Sequence, residues 1–207
     1  MSIPPSDLKL SEFFDRCARE RLMHDFPAEE LVKLDLFFGL WKIAPGFRVL
    51  EPGCGSGRLT EHLARAVGAD GEVYACDVSA GMLDSARERA MPSQVRLVHG
   101  SAARIDRPGE WFDRIICLNV FPHFEEKGVV LAEFARVLKP AGELWINHFE
   151  GRDRLNDFHR EAAPEVADHM LPCRYSLGKL LDGAGFALAD YRDDDEAYWV
   201  RATRRTD

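Results

Sequence analysis

Three glycines in five residues, Gly53, Gly55 and Gly57, follow an acid at Glu51 in the run Val49-Leu-Glu-Pro-Gly-Cys-Gly-Ser-Gly-Arg58. Glycine lets a loop bend sharply and lets a ligand touch the backbone. A helix opening at Arg58 would add unpaired N–H groups at the same place. The spacing separates two ligand classes. A dinucleotide fingerprint reads Gly-x-Gly-x-x-Gly, whereas here Arg58 holds the sixth position and the loop runs Gly-x-Gly-x-Gly. Glu51 would oppose a pyrophosphate and suit a cationic or amine-bearing ligand. The alternative is a tight strand-to-helix turn with no ligand, which leaves the acid ahead of the glycines unexplained.

A second acid, Asp77, comes 20 residues after Gly57. In nucleotide-binding α/β sheets a carboxylate at this distance takes the ribose hydroxyls. An Asp standing alone before a helix is more often a cap; joined to the glycine loop, it reads as a ribose ligand. Met82, one turn into the following helix, suits either an adenine face or the core.

A further set of polar residues lies in the second half. Asn119 and His123 flank the end of one apolar run, and Asn147-His148-Phe149 ends the next. In a helix over 152–162, Arg152, Leu155, Asn156 and His159 fall on one side. Histidine can take a proton near neutral pH and Arg can hold a carboxylate at two points. His148 and His159, with His123, are therefore candidate catalytic residues, His148 as general base. Arg152 and Asn156 are candidate substrate contacts, with Arg152 an anchor for an anionic group. The competing readings are packing for His123, a loop cap for Asn119 and an exposed polar helix for 152–162. The spacings of His148, His159, His169 and Cys173 match no zinc pattern, so no metal is expected.

These residues need elements to position them. From Phe47 onward, strand-like runs alternate with amphipathic stretches, the pattern of a parallel α/β sheet. Strands are expected at 47–51, 72–77, 95–99, 112–119, 143–149, 186–192 and 198–203. Helices are expected at 58–67, from a Ser79 cap to about 89, and at 125–138, 152–162 and 176–184. Two more, 8–24 and 29–41, precede the sheet, split by Pro27. Their aromatic residues, Phe13, Phe14, Phe26, Phe37, Phe38 and Trp41, form either a lid or plain apolar faces. The expected division is a helical cap over 1–44 and a ligand-binding domain over 45–207, one compact unit overall.

Composition removes several classes. The chain has 207 residues, 27 Lys and Arg against 35 Asp and Glu, and a formal net charge of −8. That length suits one domain. The acidic surface makes nucleic acid a poor partner. No apolar run approaches the ~18 residues of a membrane span, and Met-Ser-Ile-Pro-Pro-Ser-Asp has neither the basic nor the apolar part of a signal peptide. Five cysteines without a Cys-x-x-Cys pair fit reduced thiols. The expectation is a cytoplasmic protein acting on a small molecule; its oligomeric state does not follow from these residues.

The sequence resembles the class I S-adenosylmethionine (SAM) dependent methyltransferases, particularly the small-molecule branch typified by ubiquinone and menaquinone biosynthesis enzymes. The resemblance rests on the glycine run at 49–57, on Cys76-Asp-Val-Ser-Ala-Gly-Met82, on His123-Phe124, on Arg136-Val-Leu-Lys-Pro-Ala-Gly142 and on Gly183-Ala-Gly-Phe186. It spans roughly residues 10–205. It implies a Rossmann-like sheet of seven strands, mostly parallel with an antiparallel last strand, and helices on both faces. It implies that Glu51 holds the methionine end of SAM, that Gly53, Gly55 and Gly57 shape the loop beneath it, and that Asp77, with Val78 beside it, binds the ribose. Asn119 would lie near the sulfonium. The acid that often contacts the adenine amine is absent from His99-Gly-Ser-Ala-Ala103, so Ser101 or the Ala102 backbone must substitute. The product would be S-adenosylhomocysteine. Two rivals remain: a SAM-binding sensor or partner subunit, and a NAD-dependent oxidoreductase.

Overall fold

A computed structural model describes residues 4–205. The chain divides into two compact units, one ending at Ser101 and the other beginning at Ala102.

The first unit carries helices α1 (Pro5–Arg19), α2 (Ala28–Trp41), α3 (Arg58–Val67) and α4 (Ala80–Arg87) and strands β1 (Arg48–Pro52), β2 (Glu72–Asp77) and β3 (Val95–His99). The strands lie side by side in the order β3-β2-β1 and are all parallel. Val49 to Pro52 and Val73 to Asp77 are buried without interruption, as expected of parallel strands covered on both faces. In α3, Leu59, Leu63, Ala64 and Val67 recur at helical spacing and are buried. Ser79 caps α4 as its position foretells, its hydroxyl accepting the Met82 N–H at 3.0 Å.

Helix α1 ends earlier than the expected His24. Arg21 and Met23 take left-handed conformations, with φ of 56° and 54°. The turn brings the carbonyls of Met23 and His24 onto the Ser56 hydroxyl, at 3.1 and 3.2 Å. Arg89 donates to the same His24 carbonyl and to the Ser56 carbonyl. Long-range bonding therefore ends the helix here.

The second unit carries strands β4 (Phe112–Leu118), β5 (Leu138–His148), β6 (Phe186–Asp193) and β7 (Tyr198–Arg204), with helices α5 (Lys127–Val137), α6 (Arg152–Ala162) and α7 (Arg174–Gly183). The order is β4-β5-β7-β6. β4 and β5 are parallel, and β7 is antiparallel to both of its neighbours. These are the seven strands of a Rossmann-like, mostly parallel fold with an antiparallel last strand, the expected class. β5 starts five residues before the expected Glu143, and Pro140 and Gly142 fall within it. They lie in an irregularity where Phe112 pairs with Leu138 and Arg114 already pairs with Glu143. An extra loop of strand accommodates a proline that has no N–H to give to a ladder.

Candidate cofactor and acceptor sites

In the first unit, the loop between β1 and α3 is built on left-handed glycines, with φ of 67° at Gly53, 54° at Gly55 and 78° at Gly57. The Gly53 and Cys54 N–H groups both donate to the Cys76 carbonyl on β2, at 2.7 and 3.1 Å. Gly57 ends the loop and precedes α3.

Glu51 is 2% exposed. Its Oε2 accepts the Thr60 hydroxyl at 2.7 Å, from the first turn of α3. Burial pushes its carboxyl up to about 8, against the Thr60 hydrogen bond that favours the charged form; the nearby Asp77 adds to the rise. An acid buried with one hydroxyl partner is the group a cationic ligand would complete.

Asp77, at the end of β2, splits its carboxylate. Oδ2 accepts the Gly55 N–H at 2.8 Å and Oδ1 the Ser79 N–H at 2.8 Å. Burial raises its pKa despite these bonds. Each oxygen retains capacity to accept from a ribose hydroxyl. The Val78 carbonyl accepts from the Ser11 hydroxyl at 2.9 Å and hydrogen-bonds His99 Nε2 at 3.0 Å. Met82 is buried, and its sulfur lies 4.0 Å from where a Cβ on Gly55 would stand. Ser101, after β3, is buried. Asp15 of α1 accepts from the Ser79 hydroxyl at 2.5 Å and the Gly81 N–H at 2.9 Å. The N-terminal helix is thereby bonded to the loop that carries Asp77.

Ala102, the first residue of the second unit, is buried. Asn119 follows β4 in a left-handed conformation, φ 55°, its N–H on the Asn147 carbonyl at 2.9 Å. His148, the last residue of β5, is 2% exposed, and neither ring nitrogen has a hydrogen-bond partner among the described residues. Burial, then the neighbouring His159, hold its imidazole down at about 3. It is neutral across the physiological range. His159 on α6 is 5% exposed and hydrogen-bonds the His169 carbonyl through Nδ1. His123, at the end of a one-turn helix over Phe121–His123, stands 5.1 Å ring to ring from His159.

The structure engages the two proposed substrate contacts elsewhere. Asn156 is buried and uses both ends of its amide on Leu171, donating to its carbonyl at 3.2 Å and accepting its N–H at 2.8 Å. Arg152 pairs with Asp153 at 2.6 Å and Asp193 at 3.4 Å. Among the described residues, no three His, Cys, Asp or Glu side chains are arranged to hold a metal ion, and no helix is long and apolar enough to cross a membrane.

A family model described as a methyltransferase domain matches residues 49–142, a span that begins in β1 and contains the glycine loop and Asp77. The chain is also 32% identical over 155 residues to a ubiquinone/menaquinone biosynthesis C-methyltransferase, UbiE, of Bordetella parapertussis; the match covers 72% of this chain and 60% of the relative. Residues 49–142 carry a methyltransferase domain similar to those of the class I SAM-dependent methyltransferases. Among solved structures, a SAM-dependent methyltransferase from Aquifex aeolicus superposes with a TM-score of 0.67 at 23% identity, covering 98% of this chain and 94% of that one. Magnesium protoporphyrin IX methyltransferase from Synechocystis, solved with SAM bound, gives 0.71 at 19% identity and covers 99% and 100%. These two share the fold. The chain spans about 60% of the length of the Bordetella relatives it matches.

Similarity to this methyltransferase domain makes sense of Arg58, the residue that breaks the dinucleotide spacing. Its guanidinium lies 3.2 Å from Glu30 and 4.3 Å from the Phe26 ring centroid, turned to the N-terminal segment and away from any phosphate role. Sequence reasoning missed Thr60, Asp15 and Arg89, which bond Glu51, Ser79 and the Ser56 carbonyl of the glycine loop. Thr60 alone carried a local signal, as a hydroxyl in the first turn of the helix that the glycine loop opens.

Proposed function

We propose that this chain transfers a methyl group from SAM to a small-molecule acceptor and releases S-adenosylhomocysteine. Glu51 and the glycine loop hold the methionine end, Asp77 and Val78 the ribose, and Met82 with Ser101 and Ala102 the adenine. The observation that carries the reading is the Glu51 carboxyl, buried with a single hydroxyl partner among the described residues, beside a loop whose Gly53, Cys54 and Gly55 N–H groups are tied to β2 and Asp77. Among the described residues no cation hydrogen-bonds Glu51, and a buried acid offers little to a pyrophosphate, which disfavours a NAD-dependent oxidoreductase.

When bound, SAM supplies an electrophilic methyl carbon on a sulfonium. The chain has to hold the acceptor in line and, for a protonated nucleophile, take its proton. His148 is our candidate proton acceptor, assisted by His159 and His123. Its lone pair is free at neutral pH; an acceptor that develops negative charge beside the ring would raise its low basicity. Arg152 and Asn156 act as positioning residues that fix the start of α6 and the segment that follows it. We also propose that α1 and α2 serve as a cap over the cofactor loop. The five cysteines, four of them buried and without a Cys-x-x-Cys pair, suit a reducing compartment such as the cytoplasm.

Incubation of the purified chain with methyl-labelled SAM and a metabolite extract tests the reaction. The name of the Bordetella relative supports placing quinone-type metabolites first. Label passing to a small molecule, in parallel with S-adenosylhomocysteine formation, is the expected result. SAM bound but never turned over would leave the sensor reading.

A further inference from the structure

We infer that His169 is a relay residue that passes protons between the buried imidazoles of the second unit and solvent through its hydrogen bond to His123. The inference rests on the reading of His148 and His159 as acceptor-side residues.

Four elements bring four imidazoles together. His148 ends β5, His159 lies on α6, His123 closes the one-turn helix after β4, and His169 sits in the irregular segment between α6 and α7. Their exposure is graded. His148 and His159 are buried, whereas His123 and His169 are partly exposed. The bonding is directional. A carbonyl only accepts, so His159 must carry its proton on Nδ1 to bond the His169 carbonyl. In the neutral ring this leaves the Nε2 lone pair open. The His159 ring faces that of His123 at 5.1 Å and 45°. His123 Nδ1 and His169 Nδ1 are 3.0 Å apart. Two imidazole nitrogens bond only when one holds a proton and the other a lone pair, the arrangement across which a proton can move.

The surroundings keep this pair in register. Lys127 of α5 donates to the carbonyls of Pro122 and Phe124, at 2.9 and 2.8 Å, and so clamps the backbone on both sides of His123. The charged and titratable groups around the pair are Lys127, His148 and His159, with Asp168 next to His169. Burial holds both rings below the ordinary histidine range, helped at His123 by the imidazoles of His159, His169 and His148 and at His169 by the Lys127 cation.

The transfer balances without a co-reactant. The acceptor's X–H bond breaks, X keeps the electron pair, and the proton joins a ring-nitrogen lone pair in the cluster. At the outer pair, His123 gains a proton on Nε2 and gives its Nδ1 proton to Nδ1 of His169. The His169 imidazolium then loses its Nε2 proton to water.

The test needs no acceptor. Solvent exchange of the His159 Nδ1 proton is followed by nitrogen-15 NMR on the intact chain. H169Q, which stays polar but cannot take up and release a proton, should slow this exchange about tenfold or more. H169G should slow it as well, with recovery when free imidazole is added, while H62Q on α3 should leave it unchanged. An unchanged rate in H169Q, or a slow H169G that imidazole does not restore, would overturn the relay. Calorimetry with SAM on the wild-type chain tests the methyltransferase reading separately: loss of that reading would show as absent SAM binding, whatever the exchange rates.

Discussion

Asp77 receives the Gly55 N–H at 2.8 Å, across 22 residues of sequence. The acid that ends β2 thus holds the glycine loop that follows β1, and one side chain shapes the loop while remaining open to a ribose. Its other oxygen fixes the turn into α4 through Ser79.

Asp77→Ala should therefore weaken SAM binding by about 1.5–3 kcal/mol, the scale of hydrogen bonds to a charged group, which is about 10- to 150-fold in Kd. Calorimetry measures it. A folded variant with unchanged affinity would remove Asp77 from the cofactor site.

Glu51 predicts a pH dependence of definite sign. Its carboxyl stands at about 8 in the fold against an ordinary 4.5, so the unliganded protein keeps a proton that the unfolded chain releases. The stability this contributes is complete below about pH 4.5 and is lost as pH rises through about 8. A cationic ligand needs the carboxylate. SAM binding at pH 7 should expel close to one proton, and affinity should rise by up to about tenfold per pH unit below 8. Calorimetry in buffers of different ionisation enthalpy reads the proton count, and Glu51→Gln should abolish it. Equal heats in all buffers with the wild-type chain would contradict the assignment.

Gly57→Ala tests the loop. Its φ is 78°, and an added Cβ would stand 2.6 Å from the Met91 methyl and 3.0 Å from the Ala86 Cβ. Met91 can swing away; Ala86 has no rotamer to change, and a left-handed alanine costs about 1–2 kcal/mol by itself. A loss of about 1–3 kcal/mol in urea unfolding is expected. A variant as stable as the wild type would show that the loop relaxes freely.

Asn156→Ala tests the positioning role. It leaves the buried N–H and C=O of Leu171 without their amide partner, at about 1–3 kcal/mol for each unsatisfied group. The expected result is a fall in unfolding free energy of about 2–4 kcal/mol with SAM affinity unchanged. Full stability would make Asn156 available to a substrate after all.

The parts legible in the sequence are those written in local pattern. The apolar runs of β2, β3 and β4, the 3.6 spacing of α3 and the Ser79 cap fall where periodicity and capping place them, because each is decided within a few residues. The same holds for the acids at 51 and 77, which mark strand ends. Illegible were features that depend on distant partners. The end of α1 is set by Ser56 and Arg89, more than thirty residues away in sequence. The early start of β5, which takes in Pro140 and Gly142, depends on its pairing with β4 and has no local signal. His169 has no periodic context, so only the return of the chain after α6 brings it to His123. The partners of the polar face of α6, Leu171 for Asn156 and Asp153 and Asp193 for Arg152, are likewise not written in its spacing.

Calorimetry of the purified chain with SAM, S-adenosylhomocysteine and NAD tests the central claim most directly. The structure predicts saturable binding of SAM and S-adenosylhomocysteine, weakened in Glu51→Gln and Asp77→Ala, and no comparable binding of NAD. Tight NAD binding with no heat from SAM would contradict the account.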